Sequence, residues 1–98
     1  MFEYVVGLDV KDDDLYSEYR KNMMPILESF RGGFRYDFRI EEVLKTQSEE
    51  NINRVFTIYF PNKKTADEFF SDSVYLKVKE KFFDKAVRST TIIAESEN

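Results

Sequence analysis

The chain contains no cysteine, no histidine and no tryptophan. Without cysteine there is no disulfide, thiolate nucleophile, zinc knuckle or iron–sulfur site. Without histidine there is no Ser-His-Asp triad, no haem held through imidazole and no facial-triad iron. Any chemistry falls to carboxylates, Tyr, Lys, Arg and backbone groups; neither a metal nor a resident cofactor is expected. No apolar run approaches the roughly 20 residues of a spanning helix, so no membrane partner is expected. The start, Met1-Phe2-Glu3-Tyr4-Val5-Val6-Gly7, lacks the basic region and longer apolar stretch of a secretion signal. A cytoplasmic location is the expectation. Basic residues are outnumbered 15 to 19, for a net charge of −4. That disfavours a nucleic-acid partner, whose phosphates must be neutralised.

What the chain does have is aromatic surface: ten Phe and six Tyr among 98 residues. The length suits a single domain, residues 1–98. A domain this short buries only about 60–65% of its unfolded surface, which makes help from a second subunit physically reasonable.

Hydrophobic periodicity sets the order of elements. Phe2, Tyr4, Val6, Leu8 and Val10 alternate with Glu3, Val5, Gly7 and Asp9, a period of two that reads as a strand. Lys11-Asp12-Asp13-Asp14 stops it. Leu15, Tyr19, Met23, Ile26, Leu27 and Phe30 then recur at helical spacing, with an Asp of the triplet as N-cap. Pro25 should bend that helix, and Gly32-Gly33 should end it with a left-handed residue. Phe34, Tyr36, Phe38 and Ile40 alternate with charged residues in a second strand. A polar connection, expected to be mobile, covers Lys45 to Asn53. Arg54 to Phe60 is a third strand, apolar on both sides and therefore central. Asn62 opens a helix burying Ala66, Phe69 and Phe70. Ser71-Asp72-Ser73 opens another, with Val74, Tyr75, Val78 and Phe82, before a last strand from Arg88 to Ala94.

This is α+β, in the ferredoxin-like βαββαβ plan: an antiparallel sheet with its helices on one face. The other face would carry Val5, Gly7, Val55, Thr57 and Tyr59, or their alternates, and is too apolar to leave in water. A homodimer packing sheet on sheet is the expectation.

Two constellations have plain structural readings. Asp12-Asp13-Asp14 lacks the spaced oxygens, Gly turn and distal Glu of a calcium loop, so capping outweighs metal binding. The row Arg35, Asp37, Arg39, Glu41 is expected to solvate or pair rather than to line a cavity. Arg54-Val55-Phe56-Thr57-Ile58-Tyr59-Phe60 lacks the small residues of an RNA-recognition strand, which argues against RNA binding.

Phe60-Pro61, then Ala66, Phe69-Phe70 and Asp72-Ser73-Val74-Tyr75, resembles the signature of an uncharacterised bacterial family, domain of unknown function 1330. Tyr19, Pro25 and Gly32-Gly33 agree with its first half. The resemblance implies a dimeric α+β barrel related to the antibiotic-biosynthesis monooxygenases, with a pocket between sheet and helices. Two arginines usual in the family are replaced here by Phe38 and Phe82, so any pocket is expected to be more aromatic and less cationic. The pocket candidates are Tyr16, Tyr19, Tyr36, Phe38, Phe69, Tyr75 and Phe82. The implied activity is binding of a small metabolite, aromatic ones included, with cofactor-free oxygenation or isomerisation as its catalytic extension. The competing reading is a non-catalytic dimeric module for binding or assembly, in which the aromatics only fill core and interface.

Overall fold

The computed structural model describes all residues, Met1–Asn98. The elements are β1 (Phe2–Val10), α1 (Asp13–Ser29), β2 (Gly33–Arg39), β3 (Arg54–Phe60), α2 (Lys63–Ser71) and α3 (Ser73–Val78). A π-helical turn (Lys79–Phe83) and a short helical turn, α4 (Asp84–Ala86), lead into β4 (Val87–Glu97). The strands lie in the order β2-β3-β1-β4, every neighbouring pair antiparallel, as the ferredoxin-like plan requires. No helix is long and apolar enough to cross a membrane.

Strand parity decides which residues meet the helices. Phe2, Val6, Leu8 and Val10 of β1 join Phe56, Ile58 and Phe60 of β3 in the core. Val5, Val55, Thr57 and Tyr59 therefore point to the open face, where they remain half-exposed. Part of that face is covered by the chain itself. Ile52 lies so close over Gly7 that a Cβ there would stand 3.0 Å from its Cδ1. Asn53 donates its backbone N–H to Leu8 O, and its side-chain oxygen accepts from Val10 N at 2.8 Å. The connection expected to be mobile is thus strapped to β1 at its C-terminal end.

Helix starts follow the expected chemistry. Asp12 accepts from Leu15 N, Asn62 from Thr65 N, and Asp72 from Val74 N and Tyr75 N. Each satisfies amide donors that the first helical turn leaves free. α1 runs unbroken through Pro25. Its end corrects the expectation of a left-handed glycine, since no glycine has positive φ and Arg31 takes that conformation at φ 61°. Gly32 N donates to Leu27 O and Arg31 N to Glu28 O, a Schellman closure. Gly32 is needed for space instead: a Cβ would stand 2.5 Å from Leu27 Cδ1 and 2.9 Å from the Tyr59 carbonyl oxygen.

β2 departs most from simple alternation. Phe34 pairs with Ile58 but Tyr36 pairs with Thr57, so Arg35 is an extra residue that reverses the strand's faces. Phe34 points toward the helices, whereas Tyr36 and Phe38 point to the open face. Asp37, opposite Phe56, turns to the helix side, and there it pairs. It meets Arg20 and Arg54, while Arg35 meets Glu3 and Arg39 meets Asp13.

Candidate functional site

Between the sheet and the helices lies a cavity of about 480 Å³, within the range of small-molecule sites. Tyr4, Val6 and Leu8 of β1, Phe56 and Ile58 of β3, and Phe34 of β2 form its sheet wall. The opposite wall is Tyr16, Tyr19 and Met23 of α1, Tyr75 of α3, and Lys79 and Phe83 of the π turn. Asp67 and Phe70 of α2 and Thr90 and Ile92 of β4 complete it. These last four are its solvent-exposed members, so the mouth opens between α2 and the edge strand β4. The inner end is tight: Tyr16 has no accessible surface, and Tyr19 and Tyr75 retain only 5% and 3%. Tyr75 adjoins Phe70 at the mouth, their ring centroids 5.8 Å apart, while Tyr16 is the most deeply buried of the three.

Tyr16, Tyr19 and Met23 sit at i, i+3 and i+7 on α1, one face of an ordinary helix. Beyond Tyr75 the spacing changes. The π turn holds one residue more than an α turn, closed by Asp84 N donating to Lys79 O. That shifts the inward position from Phe82 to Phe83.

The hydroxyls of Tyr19 and Tyr75 are 2.8 Å apart and buried. Burial holds the Tyr19 phenol well above its ordinary range and pushes Tyr75 up to about 12. The Tyr16 hydroxyl accepts from Arg20 Nε at 2.8 Å. Its pKa is also raised, because burial outweighs the opposing pull of Arg20 and Arg54. All three phenols are neutral near pH 7. Behind Tyr16, Asp37 binds Arg54 in a two-pronged pair at 2.8 and 2.9 Å and Arg20 at 3.1 Å. The Arg20 guanidinium also lies 3.8 Å from the Phe34 ring centroid.

Of the seven candidates from the sequence, the structure gathers Tyr16, Tyr19 and Tyr75 around the cavity. Tyr36 and Phe38 are elsewhere, stacked on each other at 6.0 Å on the open face and 56% and 53% exposed. The bulge at Arg35 puts them there. Phe69 is fully buried among Phe30, Phe60, Phe70 and Tyr75, behind the cavity wall rather than on it. Phe82 packs half-buried against the core outside the cavity. Tyr4, Phe34, Phe56, Phe70 and Phe83 line it without having been singled out. Tyr4 and Phe56 follow from strand parity once the helix-covered face is known, and Arg20 lies one turn from Tyr16, so these were within reach. Both family-arginine positions, Phe38 and Phe82, lie outside the cavity, and its nearest guanidiniums are already held by Asp37.

The fold is shared with solved structures of low sequence identity. A protein of unknown function from Rhodopseudomonas palustris, RPA0582, superposes with a TM-score of 0.82 at 18% identity, over 99% of this chain and 81% of that one. A dabb family protein with a ferredoxin-like fold from Mesorhizobium loti gives 0.68 at 12% identity, over 99% and 95%. A candidate antibiotic biosynthesis monooxygenase from Nitrosomonas europaea gives 0.62 at 18% identity, over 100% and 98%. No protein of curated function matches the sequence. The family model described as Domain of unknown function (DUF1330) matches residues 4–96, and the chain belongs to that family.

Proposed function

We propose that the chain is a homodimer whose subunits each bind one small, uncharged, largely aromatic molecule in the cavity between sheet and helices. The observation that carries this reading is the cavity itself, open at one side and walled by apolar and aromatic groups with a buried phenol pair at its inner end. Fixed charge does not favour an anion: Lys79 is held by Asp84 at 2.8 Å and the arginines by Asp37, and the other charged lining residue, Asp67 at the mouth, is acidic. The catalytic extension, cofactor-free oxygenation or isomerisation, asks a phenol to move a proton near neutral pH. Burial shifts all three phenols away from that, so binding is the reading the geometry supports best.

2-Ethylnaphthalene, which has no polar atom, tests the cavity. Calorimetric titration is expected to show saturable binding, and the ligand to raise the midpoint of thermal unfolding, because it stabilises only the folded state. Val6→Phe, which fills the cavity from β1, is expected to abolish both effects. A wild-type protein that shows neither effect rejects the reading.

The open face supports the dimer. Tyr36 and Phe38 adjoin Val55 and Thr57 in register, so an aromatic patch continues the half-exposed centre of the sheet. Light scattering at micromolar concentration is expected to give the dimer mass for the wild type and the monomer mass for the Tyr36→Glu, Phe38→Glu double variant. A wild-type monomer overturns the pairing and leaves the cavity untouched.

A further inference from the structure

We infer that the cavity selects a carbonyl compound, a ligand whose polar atom accepts hydrogen bonds and offers none. The inference rests on the cavity being a binding site and deepens that reading by assigning the ligand's polar chemistry. It follows from counting protons. A guanidinium can only donate, so the bond from Arg20 Nε fixes the Tyr16 oxygen as acceptor and leaves the Tyr16 proton unused. Arg20 cannot turn away easily, since its other nitrogens bind Asp37 and its plane rests against Phe34. Between Tyr19 and Tyr75 there are two hydroxyl protons and one hydrogen bond. Whichever residue donates, the other's proton is left over.

Two phenol protons therefore lack acceptors at the inner end of the cavity. The three residues have little or no outer surface, so an acceptor for these protons has to come from within the cavity. Of the other lining side chains only Tyr4, Asp67 and Thr90 carry an oxygen, and none of them hydrogen-bonds to the three phenols, whose partners are Arg20 and each other. A buried donor without a partner carries the full cost of its lost hydration. A carbonyl oxygen has two lone pairs and no hydrogen, so it relieves that cost without adding a donor of its own. Since the three phenols are neutral and the nearby cations are already paired, the acceptor is a neutral ketone, aldehyde, ester or amide oxygen rather than a carboxylate.

The test compares two ligands of nearly the same shape, 2-ethylnaphthalene and 2-acetylnaphthalene, which differ by a CH₂ against a C=O. Calorimetric titration of the wild type is expected to give about tenfold tighter binding of the ketone, the size of effect a well-placed hydrogen bond produces with its unpaired donor relieved. The infrared carbonyl stretch of the bound ketone is expected to move to lower wavenumber. Tyr16→Phe should reduce the preference and the shift, and so should the Tyr19→Phe, Tyr75→Phe double variant, which removes the proton left over from the pair; circular dichroism reports that the variants are folded. Equal binding of the two ligands, or an unshifted stretch, overturns the carbonyl inference with the cavity reading intact. Failure of both ligands to bind overturns the cavity reading itself.

Discussion

Replacing Phe69 by alanine is expected to lower the unfolding free energy by about 3–5 kcal/mol, the range for truncating a buried phenylalanine. Phe69 has no accessible surface, and four rings surround it: Tyr75 at 4.3 Å, Phe70 at 5.0 Å, Phe60 at 5.5 Å and Phe30 at 5.7 Å. The substitution removes apolar burial and several aromatic contacts, and it opens a void between α1, α2 and β3 that the sheet cannot collapse to fill. Domains of this size have only about 5–15 kcal/mol in total, so the loss is a large fraction. Urea denaturation measures it directly. A change below about 1 kcal/mol would show that these rings are not the packed centre of the fold. Phe69→Leu keeps most of the volume and should leave 2-ethylnaphthalene binding within a small factor, because Phe69 stands behind the cavity wall and not in it.

Asp37→Asn is the second large effect, and it depends on pH. Burial alone would raise the Asp37 pKa, but the hydrogen bonds from Arg54 and the charge of Arg20 outweigh it and hold the carboxyl below its usual range. Its ionised form is therefore favoured by folding. The sign follows from linkage: below the usual carboxylate range the unfolded chain binds more protons, so stability rises with pH there. Asp37 contributes fully above about pH 4, and that contribution is lost as pH falls through its lowered folded value. With the carboxylate removed, two largely covered guanidiniums face each other without a counter-charge. The side chain is about a third exposed, which discounts the cost from that of a fully buried pair to roughly 1–3 kcal/mol at pH 7. Urea unfolding of wild type and variant at pH 7 and at pH 2.5 should show the gap narrowing in acid. A gap that stays constant would mean that the carboxylate's charge is not what holds Arg20 and Arg54.

Much of this architecture is legible in the sequence because period and punctuation agree. β1 and β3 alternate cleanly, the α1 stripe is continuous, and Asp12, Asn62 and Asp72 cap where their side-chain chemistry suggests. Tyr16, Tyr19 and Tyr75 reach the cavity because each lies on a regular helical stretch. The residues that were misplaced follow one inserted residue. Tyr36 and Phe38 lie past the bulge at Arg35, and Phe82 lies in the π turn, where the inward position moves to Phe83. Neither insertion has a composition of its own, since Arg35 and Lys79–Phe83 are ordinary strand and helix residues. What selects them is the fit of whole elements against the sheet. The same holds for Phe69 and Phe70, adjacent aromatics of which one is core and the other a rim residue 38% exposed. Only the helix's final rotation on the sheet separates them.

The extra residue in β2 also fixes how this strand tolerates change. Substitutions along it are felt on one side at a time, at the cavity for Phe34 or on the outer surface for Phe38. Deleting Arg35 itself would set Phe34 and Tyr36 side by side opposite Ile58 and Thr57, so Tyr36 and Phe38 would stay outside and Asp37 would stay with its arginines. The bulge is thus the one place in this segment where a residue can be lost without exchanging the strand's two faces.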